Sequence, residues 1–524
     1  MNLITLKEAA EFASLHINKN VTISNISYLV NYGRIPKAEN KGIVLIDKQE
    51  LINYYHSYYG NRELDWKDKL GDDLNWALSF DNLKETDTTK HVHRLHPYKG
   101  KYIPQLVEYF LDTHVDEFKT QTFFQKGDII LDVFCGSGTT LIQANELGIN
   151  AIGVDISAFN ALMSNVKVSK VDFYELAMST EKITKELKTF VNGSKNLAFE
   201  AKLAEELTKY NHKFFPSPEF KIKARSKEIN ELEYAKFHEN EVLQIFNRLA
   251  TEFDIKITQD KNERFLEKWY LQAIREEINF IFDQIKLIEN QQIKKILTII
   301  LSRTIRTCRA TTHADLATLV EPVTTTYYCA KHGKICKPLF SMLSWWERYC
   351  KDTITRFGEF AKLKTNSLQF CLNGNSENID IFSELEKKYP AFYELAKTKK
   401  IKGIFSSPPY VGLIDYHEQH AYAYDLFGFE RKDEQEIGSL QKKQTKKAQQ
   451  DYVNGISNVL NNAKPFLVED YDIFLVSNDK YNLYPQIAEN AGMQIVNQYK
   501  RPVLNRTEKD KGAYSEIIFH FKTK

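Results

Sequence analysis

This 524-residue sequence has no long apolar run, few cysteines and almost no excess of charge of one sign. It contains no stretch of about 18 apolar residues, so we expect no membrane-spanning helix. The N-terminus MNLITLKEAAEF has neither the basic start nor the apolar stretch of a secretory signal. Six cysteines are too few for a disulfide framework in so long a chain, and we therefore expect a cytoplasmic protein with reduced thiols.

The charges of the chain nearly cancel. Lysine and arginine number 71 against 69 aspartates and glutamates, which gives a formal net charge of +2. This balance excludes a uniformly basic nucleic-acid-coating protein but is compatible with a local basic groove. The sequence has no internal repeat and no low-complexity segment, and its length predicts more than one domain.

Three hydrophobic patterns follow one another along the chain. Residues 1–60 show helical spacing and one short strand, and residues 61–90 are polar without clear periodicity, as in a linker. Strands alternate with helices over residues 91–165 and again over residues 366–524, which predicts an α/β domain with a mostly parallel sheet. Residues 166–365 are mainly helical and interrupt that domain. The strands predicted for the sheet are DIILDVF, NAIGVDIS, SLQFCLNGN, KGIFSSPPY, YDIFLVSND, QIVNQYKRPVL and SEIIFHFK.

The segment LDVFCGSGTT comes at the end of the first of these strands and leads into a helix. Glycines 136 and 138 allow a tight turn and a close approach of the backbone to a ligand. The next strand ends in Asp155, 23 residues after Asp132, where a carboxylate can accept hydrogen bonds from ribose hydroxyls. The third glycine of the dinucleotide fingerprint is absent, which disfavours NAD. An ordinary strand-to-helix turn is the alternative for the glycines alone.

The segment FSSPPY comes at the end of another predicted strand, which the two prolines terminate. A rigid Ser-Pro-Pro segment can aim the Ser407 hydroxyl and nearby carbonyls into a cleft, as acceptors for an exocyclic amino group. Tyr410 can stack on the ring that carries this group. A base in a duplex must be flipped out to be reached, and an aromatic platform offsets part of the lost stacking. The alternative is a proline-terminated strand with no such role.

Together, FCGSG and SPPY resemble the S-adenosylmethionine-dependent DNA amino-methyltransferases. The resemblance covers about residues 91–165 and 366–524, and it implies a Rossmann-like methyltransferase fold, S-adenosylmethionine as cofactor and duplex DNA as substrate. Serine at the first position is most similar to the branch that methylates N4 of cytosine, with N6 of adenine as the alternative. By the resemblance, the catalytic motif is Ser407, Pro408, Pro409 and Tyr410, and the cofactor lies against Tyr98, Lys101, Asp132, Phe134, Gly136, Gly138, Thr139, Asp155 and Asn375.

The order of the motifs is similar to the class in which a target-recognition region interrupts the catalytic domain. Here the insertion begins before NGNSENID rather than after it, and Asn375 stands where the family often has an acidic residue near the adenine. The resemblance also implies a restriction-modification system with a cognate restriction endonuclease as partner. Methylation of a protein glutamine or an RNA base competes with this interpretation, and so does a DNA-binding regulator with a relic cofactor fold.

Cytosine-C5 methylation is disfavoured because it needs a cysteine nucleophile, usually after proline, and no Pro-Cys dipeptide occurs. Cys135 lies within the glycine turn, and we expect it to serve in packing. Direct methyl transfer to nitrogen requires no metal. Cys329, His332 and Cys336, with Cys308 upstream, are of zinc-binding type, but buried reduced thiols are the alternative.

Residues 1–60 resemble a winged helix-turn-helix of the excisionase or MerR kind. The recognition helix would direct Ser27, Tyr28, Asn31 and Arg34 toward DNA, with KGIVLID as the wing. A small bundle that packs on the enzyme or binds a partner is the alternative. The basic stretch LQKKQTKKAQQ supplies Lys442 and Lys443 as candidates for phosphate contact, although such stretches are often only solvated surface.

Overall fold

The computed structural model describes residues 2–524 except 32–33, 41–42, 81, 99, 258–262, 314–320, 338–340, 414–415, 441–442 and 504–512. Its strands are β1 (Leu3–Thr5), β2 (Lys37–Asn40), β3 (Ile43–Asp47), β4 (Ile129–Asp132), β5 (Asn150–Asp155), β6 (Tyr327–Cys329), β7 (Lys334–Cys336), β8 (Gln369–Asn373), β9 (Ile401–Ser406), β10 (Leu467–Ser477), β11 (Met493–Pro502) and β12 (Ser515–Thr523).

Helices make up most of the remaining structure. They are α1 (Leu6–Ile17), α2 (Ile23–Asn31), α3 (Lys48–Tyr55), α4 (Tyr58–Leu70), α5 (Glu85–Thr88), α6 (Pro104–Leu111), α7 (Thr139–Glu146), α8 (Ala158–Val168), α9 (Phe173–Val191), α10 (Lys195–Phe214), α11 (Glu219–Arg225), α12 (Glu231–Glu252), α13 (Phe265–Trp269), α14 (Gln272–Lys286), α15 (Gln291–Thr307), α16 (Leu343–Ala361), α17 (Ile381–Lys388), α18 (Pro390–Lys399), α19 (Tyr416–Gln419), α20 (Ala421–Phe427), α21 (Lys446–Ala463) and α22 (Tyr484–Asn490). Among the described residues no helix is both long enough and apolar enough to span a bilayer.

A seven-stranded sheet in the order β11-β12-β10-β9-β4-β5-β8 forms the centre of the protein. The five strands from β10 to β8 are parallel to one another, and β12 runs antiparallel to both of its neighbours. All seven strands predicted from the sequence lie in this sheet. The prediction of a mostly parallel α/β sheet is therefore confirmed.

Side chains alternate across the sheet, so each face has its own core. On β4, Ile129 and Leu131 belong to the core on the face that α17, α18, α21 and α22 cover. Ile130, between them, belongs to the opposite core, to which α6, α7, α8 and the inserted helices contribute. Because both faces are buried, the strands are nearly continuous apolar runs in the sequence.

Helices α9–α16 and the short hairpin β6–β7 are inserted between α8 and β8. The insertion precedes NGNSENID, as the sequence indicated. Its buried side chains, such as Ile281 and Leu297, share one continuous core with Ile130 and Ala151 of the sheet. The inserted helices therefore pack on the large sheet over a shared apolar interface.

The N-terminal residues form α1 and α2 packed on a three-stranded antiparallel sheet in the order β1-β3-β2. The helices and the strand GIVLID lie where the sequence predicted them. Helix α4 begins at Tyr58 and extends into residues 61–90, and Trp66 and Trp76 from this segment are buried in the N-terminal core. Asn75 N donates to Lys500 O of β11 at 2.7 Å, so the segment also lies along the edge strand of the large sheet.

Candidate active site

A cavity lies at the edge of the large sheet where the parallel strands end. The chain runs outward from β4 through β5 to β8 and then returns to the other side of β4 with β9. Open α/β sheets bind ligands at such a switch point, outside the carboxyl ends of the strands. The loops after all four strands contribute to the wall, and the lining residues include Phe134, Gly136, Asp155, Asn375 and Ser407.

The turn between β4 and α7 requires glycine at two positions. Gly136 and Gly138 have φ angles of 51° and 77°, in the left-handed region. A Cβ at Gly136 would lie 3.0 Å from the Tyr98 hydroxyl, and a Cβ at Gly138 would lie 2.9 Å from Ser164 Oγ. Gly136 and Thr139 line the cavity, whereas Gly138 lets α7 begin close to α8.

Asp155 ends β5, and its carboxylate lies against the glycine turn. Its Oδ2 accepts a hydrogen bond from Gly136 N at 2.7 Å, and its Oδ1 accepts from Ser157 N at 2.9 Å and from Asn160 Nδ2 at 3.1 Å. Burial raises the pKa of Asp155 to about 6, although these donors act in the opposite direction. The neighbouring Asn160 Oδ1 is buried and has no hydrogen-bond partner among the described residues.

Asp132 ends β4 but does not line the cavity. Its buried carboxylate accepts hydrogen bonds from Ser406 Oγ at 2.6 Å, from Phe134 N at 3.2 Å and from the Tyr102 hydroxyl at 3.2 Å. Burial raises the pKa of this carboxyl group. Asp132 therefore lies behind the cavity wall and ties the turn after β4 to the end of β9.

Ser407 has a different environment from its neighbour Ser406. The Ser407 hydroxyl donates a hydrogen bond to Val476 O of β10 at 3.1 Å, which leaves the lone pairs of Oγ as acceptors. Ser407 and Pro409 line the cavity. Strand β9 ends at Ser406, as expected because Pro408 cannot donate to a strand ladder.

Tyr410 lines a second cavity, together with Asn478 and Asp479 beyond the end of β10. Its hydroxyl donates a hydrogen bond to Glu516 Oε1 of β12 at 2.7 Å. The SPPY tetrapeptide thus borders two cavities, with Ser407 on the first and Tyr410 on the second.

The segment before α6 covers the first cavity with Tyr98 and Lys101. Lys101 Nζ donates a hydrogen bond to His93 O at 2.8 Å. Burial, and to a smaller extent the positive charges of Arg94 and Arg356, lower the pKa of Lys101 to about 8. An anion bound beside Lys101 would favour its charged form.

Asn375 follows β8 and also lines the cavity. Its Oδ1 accepts a hydrogen bond from Glu377 N at 3.0 Å, and the adjacent Ser376 Oγ donates to Val133 O at 2.6 Å. Gly374 N donates to Asp155 O at 3.0 Å. These bonds join the loop after β8 to the loops after β4 and β5.

Sequence reasoning missed a buried hydrogen-bonded pair in the cavity wall, formed by His417 and Glu436. Lys432 N donates to His417 Nε2 at 3.1 Å, so the ring proton lies on Nδ1 and is donated to the Glu436 carboxylate. The only local signal was a histidine shortly after SPPY. Ser406 at the end of β9 and Asn160 in the first turn of α8 were also missed, because polar residues at such positions are common in any α/β protein.

Cys135 lies in the glycine turn with its side chain buried. A Cβ at Gly153 would come within 2.6 Å of Cys135 Sγ, so this thiol occupies the space over Gly153. Its surroundings are those of a packing residue.

The DNA-contact candidates lie in two other places. Ser27, Tyr28 and Asn31 belong to α2, and Arg34 follows that helix, with the side chains of Ser27 and Arg34 half-buried. Lys443 is exposed in the turn before α21, whereas Lys442 lies outside the described residues. The carbonyl of Lys443 lies against Gly412, where a Cβ would approach it to 2.4 Å, so this turn is close to the SPPY tetrapeptide in space.

The first cavity has the chemistry that a nucleoside with a charged tail requires. Asp155 and the unpartnered Asn160 Oδ1 offer acceptors for hydroxyl or amino groups, and Phe134 offers an apolar wall. Lys101 offers a positive charge for a carboxylate. These residues fit S-adenosylmethionine.

The sequence of the chain is similar to those of known proteins. The family model described as DNA methylase matches residues 24–165. The chain is 48% identical over 535 aligned residues, covering 99% of its own length and 97% of the relative, to the Type II methyltransferase M.MjaII of Methanocaldococcus jannaschii. Shorter matches are to the Type II methyltransferase M.MvaI of Kocuria varians, 28% identical over 22% of this chain and 24% of the relative, and M.BsoBI of Geobacillus stearothermophilus, 39% identical over 14% and 13%.

Proposed function

The chain belongs to the DNA methylase family, whose members transfer the methyl group of S-adenosylmethionine, and on that premise we propose that it methylates N4 of cytosine at a specific site in duplex DNA. Adenine N6 is the alternative target. The two reactions share a fold and a cofactor, so the distinction depends on the residues that bind the target base.

The observation that carries the cytosine proposal is the environment of Ser407. Its hydrogen is engaged with Val476 O, and its lone pairs remain available at the cavity where the β9 strand ends. An amino nitrogen that donates a hydrogen bond to this oxygen keeps its own lone pair for the methyl group. Serine at this position is also what the resemblance associates with N4 of cytosine.

Tyr410 is the proposed platform for the flipped base. Its ring borders the second cavity, and the bond from its hydroxyl to Glu516 holds the side chain in one orientation. Stacking on an aromatic ring contributes about 1–3 kcal/mol per base, which offsets part of the cost of extruding the nucleotide.

Asp155, Asn160 and Lys101 are the proposed cofactor contacts. Bound S-adenosylmethionine supplies an electrophilic methyl group on its sulfonium. Asp155 and Asn160 would hold the ribose hydroxyls, Lys101 would hold the carboxylate, and Asn375 would contact the adenine; all four residues line the first cavity. The chain's contribution is positioning and exclusion of water, because N4 gains the methyl group and loses one proton without a covalent enzyme intermediate.

Binding to DNA is proposed to use two surfaces. The N-terminal unit, residues 1–60, would act as a winged helix-turn-helix with α2 as recognition helix, and the turn at Lys443 would contact phosphate near the flipped base. Because the relatives are named Type II methyltransferases, we assign the chain to a type II restriction-modification system, with a cognate endonuclease that cleaves the same site when it is unmethylated.

The test is to map modified bases in plasmid DNA from an expressing host. The proposal predicts N4-methylcytosine within one short sequence and none in DNA from a Ser407→Ala host. N6-methyladenine in its place would establish the alternative, and methylation of protein or RNA with unmodified DNA would refute both.

A further inference from the structure

The hairpin β6–β7 of the inserted region has two faces with different partners. Tyr328 and Ile335 face the main core, where Ile335 exchanges two hydrogen bonds of 2.9 Å with the Asn211 side chain of α10. Tyr328 N donates to Glu239 Oε1 of α12 at 2.9 Å. Cys329 and Cys336 lie on the opposite face of the hairpin, because side chains alternate along a strand.

Four potential metal ligands meet on that opposite face. One ligand atom from each of His313, Cys329, His332 and Cys336 can be chosen so that all four lie within 4.8 Å of one another. Cys336 Sγ lies 3.5 Å from His332 Nδ1, and the rings of His313 and His332 are 4.5 Å apart. Both thiols are buried and free.

The local chain geometry explains why these residues converge. In the turn of the hairpin, His332 N and Gly333 N both donate to Cys329 O, at 3.0 and 2.7 Å, and Gly333 has a φ of 62°. Cys329 and His332 are separated by two residues, which lies within the spacing of paired zinc ligands.

His313 joins the group from the chain that precedes the hairpin. Its Nδ1 lies 2.6 Å from the Tyr327 hydroxyl, which leaves Nε2 for a metal. A hydrogen bond to the second nitrogen orients ligating histidines in known metal sites. Cys308 does not join the group; it is buried in the main core instead.

An apolar explanation of this group is weak. The cluster on this face contains only Tyr327, Cys329 and Cys336 among the described residues, with Val323 packed against it. Strands of three residues are marginal by themselves. Two thiolates and two imidazoles in a tetrahedral arrangement are the ligands that Zn²⁺ prefers, and their charge neutralises the ion.

The geometry points to a structural zinc site formed by His313, Cys329, His332 and Cys336. The ion would cross-link the outer face of the hairpin to the preceding chain, while the inner face docks on α10 and α12. All four ligand positions are taken by the protein, so the site serves folding of the inserted region and leaves no position for substrate.

The first experiment is metal analysis of the full-length protein purified without added metal. We expect about one zinc per chain, and loss of most of that zinc in Cys329→Ser, Cys336→Ser and His313→Ala. The matched controls are Cys308→Ala, which removes a thiol of the main core, and His212→Ala, which removes an exposed histidine of α10 that lines the same surface cavity as His332 and Cys336. Both should keep the metal.

A second readout avoids dependence on variants that fail to fold. Wild-type protein produced in cobalt medium should show the visible absorption of tetrahedral Co²⁺ together with thiolate-to-cobalt charge transfer, and Cys336→Ser, which should bind little metal, should lose most of both signals. Three results would each overturn the proposal. The first is wild-type protein without stoichiometric metal, and the second is zinc retained by both cysteine variants. The third is a titration in denaturant that finds two thiols fewer than the six of the sequence, as a Cys329–Cys336 disulfide would give.

Discussion

The edge of the large sheet and the N-terminal unit differ in how their candidate residues are held. At the sheet edge, each key side chain bonds to a different segment of the chain: Asp155 to Gly136, Ser407 to Val476, and Tyr410 to Glu516. In the N-terminal unit, the candidates lie on one helix and in the turn after it, and the unit has a core of its own.

This difference suits the two parts to separate roles in the proposed function, chemistry at the sheet edge and DNA contact at the N-terminal unit. Side chains held from several strands have positions that do not depend on DNA, which suits chemistry that needs an aligned nitrogen and methyl group. Side chains on one helix move with that helix and suit a groove or a row of phosphates. Substitutions at the sheet edge should therefore affect turnover or cofactor binding. Substitutions in the N-terminal unit or at Lys443 should affect only DNA affinity.

The largest effect is expected for Ser407→Ala. Loss of the acceptor for the amino group should lower the single-turnover methylation rate by on the order of 100-fold or more. Removal of one hydrogen-bonding group from the active sites of other enzymes has an effect of this size. Cofactor affinity, measured by calorimetry, should stay unchanged. An equal loss of cofactor affinity would assign Ser407 to the cofactor instead.

Ser406→Ala is the control for that variant. It removes the same atoms from the adjacent residue but leaves the buried Asp132 carboxylate with one donor fewer. We expect a loss of about 1–3 kcal/mol in the free energy of unfolding, visible as a lower melting temperature, rather than a selective loss of rate.

Tyr410→Ala should lower the rate by about 10-fold to 100-fold, since stacking contributes about 1–3 kcal/mol per base. Fluorescence of 2-aminopurine at the target position should report less flipped base. Tyr410→Phe keeps the ring but loses the hydroxyl and its bond to Glu516, and it should retain most of the signal. Equal defects in both variants would exclude stacking as the role of this residue.

Asp155→Asn should raise the dissociation constant of S-adenosylmethionine by about 10-fold to 100-fold, because bonds to a charged acceptor contribute about 1.5–3 kcal/mol. The two carboxylate oxygens accept from different donors, and an amide has only one such oxygen. Asp128→Asn, at the amino end of β4, is the matched control and should bind the cofactor normally. Normal binding by Asp155→Asn would remove Asp155 from the cofactor site.

Cofactor affinity should also depend on pH through Lys101, whose pKa is about 8 in the free protein. The carboxylate of the cofactor favours the charged lysine, so binding should weaken as the pH rises through this value, by at most about tenfold per unit. Below it the lysine is already charged, and affinity should stay constant until the pH nears 6, where Asp155 takes up its proton. Lys101→Met should bind weakly at every pH without this dependence; a matching slope in the variant would implicate another group.

The smallest effects are expected for Lys443→Ala and Arg34→Ala. Each should weaken DNA binding a few-fold at moderate salt and reduce the slope of log affinity against log salt by about 1. Lys397→Ala, near the amino end of β9 and thus at the opposite edge of the sheet, should change neither quantity. Point variants are preferable to removal of residues 1–60, because Trp66 and Trp76 share the N-terminal core.

Some of this architecture is encoded locally. Each strand of the large sheet is a short apolar run bounded by turn residues, and burial on both faces makes such runs recognisable without knowledge of their partners. Glycines 136 and 138 are needed because of the φ angles of one turn, and prolines 408 and 409 end a strand wherever they occur. These features predicted the cavity residues that lie on the β4 and β9 loops.

Other features required the tertiary structure because they depend on contacts distant in sequence. Ser406 and Ser407 are adjacent, yet only the pairing of β9 with β4 and β10 turns one toward Asp132 and leaves the other at the cavity. His417 is held in the cavity wall by its contact with Glu436, 19 residues away in sequence. His313 lies beside Cys329 and Cys336 only because the chain before the hairpin packs against it. The sequence by itself determined which segments become strands and which turns bear glycine or proline; strand order and register, set by packing between distant segments, decided which side chains meet.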